Sequence, residues 1–272
     1  MLPLGSVLDG FNDIDIKNIY VYIIYINIKM PINYYEIDRI QKKLPKKQDY
    51  QLEFTGCDIN KHMLICGGTG TGKTNGLYDY IVQTSRPSKG TFKHIFICYK
   101  TDEVLYDDLK DQLKGGISFY KSVAEFPSVD EFPDAVINDF KHQYLIVFDD
   151  CINDKDKASY AKVKNYFTYG RKKGLTILYL SQSFFDSDSF IRKQMSYLLL
   201  LSIKGKTDLN NILREYGSLQ AEPQELYKIF KLATTPTKDD PMPFLKIATT
   251  KTTDDKIFSR GWLGYLEFTP KV

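Results

Sequence analysis

The chain has 272 residues, 43% of them hydrophobic and 26% charged, enough apolar content for one sizeable α/β domain with additions. A formal charge of +3 excludes a global electrostatic case for nucleic-acid binding, so any such surface must be local. Cys57, Cys66, Cys98 and Cys151 have no CxxC-type spacing and His62, His94 and His142 are scattered, which argues against a zinc site and for buried thiols in a reducing compartment.

The most apolar run, Ile19 to Ile28, is about half the length needed to span a bilayer, so no membrane insertion is expected. Acidic residues precede it and no small-residue cleavage site follows, which also disfavours a signal peptide. Residues 1–29 are rich in Ile, Tyr and Asn and are read as an over-extended start, with translation beginning at Met30; the rival reading is a disordered or oligomer arm. Residues 30–60 read as a helix with a basic end followed by a linker.

Strands and helices then alternate. His62–Cys66 is an apolar strand entering a glycine loop, followed by a helix over Lys73–Val82. His94–Tyr99 reads as a buried strand, Thr101–Leu113 as an acidic amphipathic helix, Ile117–Tyr120 as a short strand and Pro133–Phe140 as a short helix. Tyr144–Asp150 is an apolar strand ending in two carboxylates, and Lys155–Lys173 is helical and basic. Thr176–Gln182 and Tyr197–Ile203 are further buried strands around a helix at Ser187–Met195. Two helices, broken near Gly217 and Pro223, occupy Leu209–Leu232; Phe244–Thr249 and Trp262–Phe268 read as a terminal hairpin. This order predicts an α/β fold with a mainly parallel sheet, helices on both faces, a core over 61–206 and a small C-terminal extension over 207–272.

The segment Gly67-Gly68-Thr69-Gly70-Thr71-Gly72-Lys73-Thr74 fits G-x-x-x-x-G-K-[ST], the phosphate loop of P-loop NTPases. Glycines permit the positive φ angles that turn successive N–H groups inward, and the helix N-terminus adds partial positive charge there. Lys73 is placed to reach the β- and γ-phosphates of ATP and the Thr74 hydroxyl to ligate Mg2+. A second metal contact is expected from a carboxylate at a neighbouring strand end. Asp149 is assigned to the metal and Asp150 to the attacking water as general base; an N-cap role for Asp150 is the structural alternative. Gln182, at the end of the next strand, can contact both γ-phosphate and water. Arg171, in Gly170-Arg171-Lys172-Lys173-Gly174, is either a finger donated to a neighbouring subunit or part of a solvated turn.

Together, GGTGTGKT, LIVFDD and GRKKGLTILYLSQSFF resemble the FtsK–HerA superfamily of ring-forming DNA-pumping ATPases over roughly residues 60–205. The nearest branch in wording is the poxvirus-type genome-packaging ATPases of large double-stranded DNA viruses and virophages. The resemblance implies that Arg171 is the arginine finger in trans, with Arg192 a second candidate, and that Gln182 is the sensor. It also implies a homo-oligomeric ring on double-stranded DNA, a capsid or portal partner, and a setting in the host cytoplasm or viral factory, or in the virion. Many members carry Asp-Glu where this chain has Asp149-Asp150, so water must approach closer or a second water must intervene. A HerA- or conjugation-type translocase, a phage assembly ATPase and a nucleotide-switched binding module are the competing readings.

The segment Cys151–Lys173 holds seven basic and two acidic residues, a local balance of +5 against +3 for the whole chain. Lys155, Lys157, Lys162, Lys164, Lys172 and Lys173, with Tyr160, Tyr166, Phe167 and Tyr169 interleaved, are its candidates for contacting a DNA backbone; a solvated helix face is the alternative for each lysine.

Overall fold

The computed structural model describes residues 50–86, 90–134, 143–151, 156–185, 187–217, 221–250 and 256–269. The readings made for residues 1–29, for the basic helix before residue 50, for most of the 133–140 helix and for Lys155 fall outside these residues. In chain order the elements are α1 (Tyr50–Thr55), β1 (His62–Cys66), α2 (Lys73–Ser85), β2 (His94–Tyr99), α3 (Val104–Gln112), β3 (Ile117–Tyr120), β4 (Tyr144–Asp149), α4 (Lys157–Tyr169), β5 (Leu175–Ser181), α5 (Ser189–Lys193), β6 (Tyr197–Leu200), α6 (Lys206–Gly217), α7 (Pro223–Thr234), β7 (Leu245–Ala248), β8 (Phe258–Arg260) and β9 (Gly264–Tyr265).

Among the described residues the strands form one sheet in the order β3-β2-β4-β5-β1-β6-β7-β8-β9. The six strands from β3 to β6 are parallel, and β7, β8 and β9 continue the sheet antiparallel. The central strands read as unbroken apolar runs because both of their faces are covered. Their alternate residues divide between two cores. Met63, Ile65, Leu145, Val147 and Leu178 pack with Leu77, Tyr80 and Ile81 of α2 and Leu109 of α3. Leu64, Ile146, Phe148, Ile177 and Tyr179 face Val163, Tyr166 and Phe167 of α4, together with α6 and α7. Shortening Phe148, fully buried in β4, to alanine removes contacts worth about 3–5 kcal/mol.

The anticipated terminal hairpin is a three-strand meander. Leu245–Ala248 pairs with β6 on one side and with Phe258–Arg260 on the other, and the 262–268 stretch supplies only β9. The middle strand has three residues, too few to show a period of two. The wholly buried β7 nevertheless needs a partner on each edge for its backbone. Lys246 of β7 is buried, with Nζ donating to the Thr55 carbonyl of α1 at 2.7 Å and to the Trp262 carbonyl. The expected helix at Lys155–Lys173 is α4 followed by a 3-10 turn over Gly170–Lys173. Gln182 lies one residue beyond β5 rather than within it.

Candidate nucleotide site

Three neighbouring parallel strands, β4, β5 and β1, deliver the site from their C-terminal ends. In register, Asp149 lies beside Leu180 and Cys66 beside Ser181, so the residues that follow, Asp150, Gln182 and Gly67, emerge along one edge. Open α/β sheets bind ligands at this edge.

The loop turns as its glycines require. Gly70 and Gly72 have φ of 74° and 98°, and Gly72 is the N-cap of α2. Gly67 is needed for space: a Cβ there would lie 2.5 Å from Thr71 Oγ1 and 2.8 Å from Leu201 Cβ. The Thr71 hydroxyl braces the turn by donating to the Gly68 carbonyl at 2.7 Å. Lys73 Nζ donates back to the Gly67 carbonyl at 3.1 Å, so its ammonium lies across the concavity that the backbone encloses.

A chain of hydrogen bonds links this loop to the carboxylates. Thr69 Oγ1 donates to Gln182 Oε1 at 3.1 Å, and Gln182 Nε2 donates to Asp150 Oδ2 at 2.8 Å. Asp150 has φ of 51°, an uncommon conformation for a residue with a side chain, while its N–H donates to the Leu180 carbonyl at 3.1 Å. Asp150 does not cap α4; Asp156 does, accepting from the N–H groups of Ala158 and Ser159. Asp149 Oδ2 accepts from the Tyr106 hydroxyl at 2.5 Å. Burial pushes the Asp149 carboxyl above its ordinary pKa; Asp150 and Glu103 add to this, while the Tyr106 hydrogen bond and Lys73 oppose it. The Tyr106 phenol is itself raised by burial and by Asp149, which keeps it a donor.

A cavity of about 340 Å3 is lined by Thr69, Gly70, Gly72, Lys73, Thr74, Asp149, Asp150 and Gln182, a volume in the range of ligand sites at about 300–1,000 Å3. Its donors suit a phosphate-bound Mg2+: a hydroxyl and carboxylates supply hard oxygens, and phosphate oxygens and water complete the octahedron. Among the described residues no cluster of three or more His, Cys, Asp or Glu is placed to hold a metal alone.

Arg171 is not part of this cavity. It precedes β5, whereas Gln182 follows it, and a seven-residue strand separates the two edges by about 20 Å. It is exposed, and its positive charge acts on His62, the first residue of β1. Arg192 is held within the chain, donating to the Ser187 carbonyl at 2.5 Å and lying over the Phe184 ring at 5.0 Å. Of the lysine candidates, Lys157 and Lys172 are exposed. Lys162 donates to the Ala124 carbonyl at 3.0 Å, Lys164 lies over the Phe190 ring at 4.5 Å and Lys173 pairs with Asp134 at 2.7 Å. Two of the interleaved aromatics, Tyr166 and Phe167, are core residues rather than surface ones, because α4 packs that face on the sheet.

Tyr106 was missed from sequence. Its only signal there is its spacing from Leu109, which marks both as the buried face of α3; its tie to Asp149 is a tertiary contact across 43 positions. Met242, which also lines the cavity, carries no motif.

The Poxvirus A32 protein family model matches residues 57–241. Among solved structures, the DNA-packaging ATPase B204 from Sulfolobus Turreted Icosahedral Virus is 11% identical, with 75% of this chain and 97% of that one covered at a TM-score of 0.48. B204 from Sulfolobus turreted icosahedral virus 2, in complex with ATP-gammaS, is 13% identical, covering 74% and 97% at 0.47. The pCW3 conjugation coupling protein TcpA is 14% identical, covering 82% and 70% at 0.43. No curated protein matches the chain in sequence.

The parallel sheet, the phosphate loop and the facing carboxylates define a P-loop ATPase. Over two thirds of its length matches a single family, and the chain belongs to the Poxvirus A32 protein family.

Proposed function

We propose that this ATPase moves double-stranded DNA, as the genome-packaging motor of a DNA virus, working as a homo-oligomeric ring against a capsid or portal protein. The observation that carries the reading is the Thr69–Gln182–Asp150 hydrogen-bond chain across the nucleotide cavity, in a member of the Poxvirus A32 family. Such a chain lets the presence of a γ-phosphate be felt at the position of the water and beyond it.

In this reading Lys73 leaves the Gly67 carbonyl for the β- and γ-phosphates of ATP, and the loop N–H groups cradle them. Thr74 and Asp149 would hold Mg2+ together with the nucleotide, and the ion would supply positive charge at the phosphate oxygens. Asp150 accepts the proton of the attacking water, and Gln182, already bonded to Asp150, orients that water and reports hydrolysis. Arg171 is too far from its own site to act there, so it serves a neighbouring subunit as the finger that stabilises the transition-state charge. Arg192 is the weaker candidate, since its guanidinium already braces the Phe184 turn. The boundaries 61–206 and 207–272 separate the ATPase core from a part that adds strands to the same sheet.

The test is ATP hydrolysis with and without duplex DNA, together with displacement of a triplex-forming strand from linear duplex. Stimulation by duplex and displacement that requires ATP are expected. Hydrolysis indifferent to DNA, with no displacement, would make the chain a nucleotide-dependent switch instead.

A further inference from the structure

Beside the phosphate cavity lies a second one of about 400 Å3, lined by Pro241, Met242, Pro243, Phe244, Trp262 and Asp239. The two share Gly72, Asn75 and Met242 along their walls. Met242 belongs to the segment linking α7 to β7, and its sulfur lies 3.1 Å from where a Cβ on Gly72 would sit, directly over the phosphate-loop turn. It is 47% exposed, a large apolar side chain on open surface, and the prolines on either side fix the backbone that presents it. Deeper in the wall, Phe244 and Trp262 are buried edge-to-face at 5.0 Å, and the indole N–H is anchored on Asp79 of α2 at 2.6 Å.

We propose that this second cavity takes the base of the nucleotide, with Met242 as the surface on which the base lies and Asp239 as acceptor for an exocyclic amino group such as that of adenine. The proposal rests on the nucleotide reading of the phosphate loop. Three features favour it. The cavity adjoins the phosphate cavity along Gly72, Asn75 and Met242, so a nucleotide whose phosphates fill the nest can continue into it. Its exposed wall is a polarizable thioether between rigid prolines, suited to a flat aromatic ring. Its acidic members differ: Asp240 is engaged by Arg260 at 2.8 Å, whereas Asp239 is exposed and makes no hydrogen bond or ion pair among the described residues. A carboxylate there accepts from the amino group of adenine and finds no such donor on uracil.

Trp262 is the single tryptophan of the chain and lines this cavity, so its fluorescence reports occupancy. The experiment titrates the full chain, with Mg2+ present, with ATP, UTP and inorganic tripolyphosphate, reading Trp262 emission and binding heat. ATP should bind and change the emission; tripolyphosphate should bind without changing it; UTP should bind about tenfold more weakly than ATP. Asp239→Ala, a change at an exposed position that lines only the second cavity, should weaken ATP about tenfold and leave tripolyphosphate unaltered. ATP affinity unchanged in Asp239→Ala, or an equal loss for ATP and tripolyphosphate, would overturn the base site while leaving the phosphate site standing. Failure of the unaltered protein to bind either ligand would instead remove the nucleotide reading and this pocket with it.

Discussion

The two ends of the parallel strands are built differently. At the C-terminal end, polar side chains are held by one another: Thr69 by Gln182, Gln182 by Asp150, Asp149 by Tyr106, and Lys73 by its own loop. At the N-terminal end, Lys173 pairs with Asp134, while Arg171 is exposed on a turn whose Gly170 packs on the core. The first arrangement pre-positions groups for chemistry inside the chain. The second offers charge outward, as a contact with another molecule requires. Arg171 and Gln182 are eleven positions apart in sequence and lie at opposite edges, because one buried strand separates them.

The sharpest way to break this contrast is to remove one cation from each end. Lys73→Ala should lower ATP hydrolysis by about a thousandfold or more and weaken nucleotide binding with it. Arg171→Ala should lower hydrolysis by about a thousandfold while leaving the nucleotide affinity of the isolated chain unchanged, since the residue is absent from its own cavity. Mixing the two inactive variants should restore part of the activity, because a Lys73→Ala subunit still donates its arginine. Mixtures with no activity would return Arg171 to the status of a solvated turn.

A pH scan separates the two ends by sign. His62, at the N-terminal end, is buried with its pKa lowered to about 4; Arg171 and Lys61 push the same way and the Phe167 backbone opposes them. Its unfolded value is near 6.5, so between pH 6.5 and about 4 the unfolded chain holds the extra proton and stability is lost as pH falls. The loss is expected to reach about 3 kcal/mol at the bottom of that window, read from urea midpoints, and His62→Phe should flatten the slope. Asp149 behaves oppositely. Its raised pKa means the folded chain holds the extra proton just above the ordinary carboxylate range, so its contribution to stability falls as pH rises through that window. Its metal contact, however, needs the ionised form, so MgATP binding should weaken in acid sooner than an ordinary carboxylate would cause. Tyr106→Phe removes a hydrogen bond that favours the ionised form. It should move that acid limb to higher pH and cost a few-fold in hydrolysis at neutral pH. An unmoved limb would make the tyrosine a packing residue only.

The phosphate loop and both carboxylates were legible because their chemistry depends on residues adjacent in sequence. His94–Tyr99 and Ile117–Tyr120 were read with their observed bounds, since short apolar runs between polar flanks leave little freedom. Tyr106 and Met242 were not legible. Each reaches the cavity through packing between distant segments, and neither residue type announces a polar role. The basic stretch is only partly legible for a related reason. Counting charge cannot tell a lysine facing solvent from one laid along a ring, and the helical phase that separates them is set by which face α4 buries.

That phase makes the smallest prediction a specific one. Lys157 and Lys172 are exposed, whereas Lys162, Lys164 and Lys173 have partners within the chain. If the outer surface of α4 and its 3-10 turn meets a DNA backbone, each exposed lysine neutralises a phosphate and releases its counterion. Lys157→Ala and Lys172→Ala should each weaken binding to any duplex sequence alike and flatten the dependence of log affinity on log salt by about one. Lys164→Ala and Lys173→Ala should leave that slope nearly unchanged and lower stability only slightly, because single pairs near the surface contribute little. Filter binding between low and moderate salt resolves a change of this size. Equal slopes across all four variants would mean that DNA meets another face.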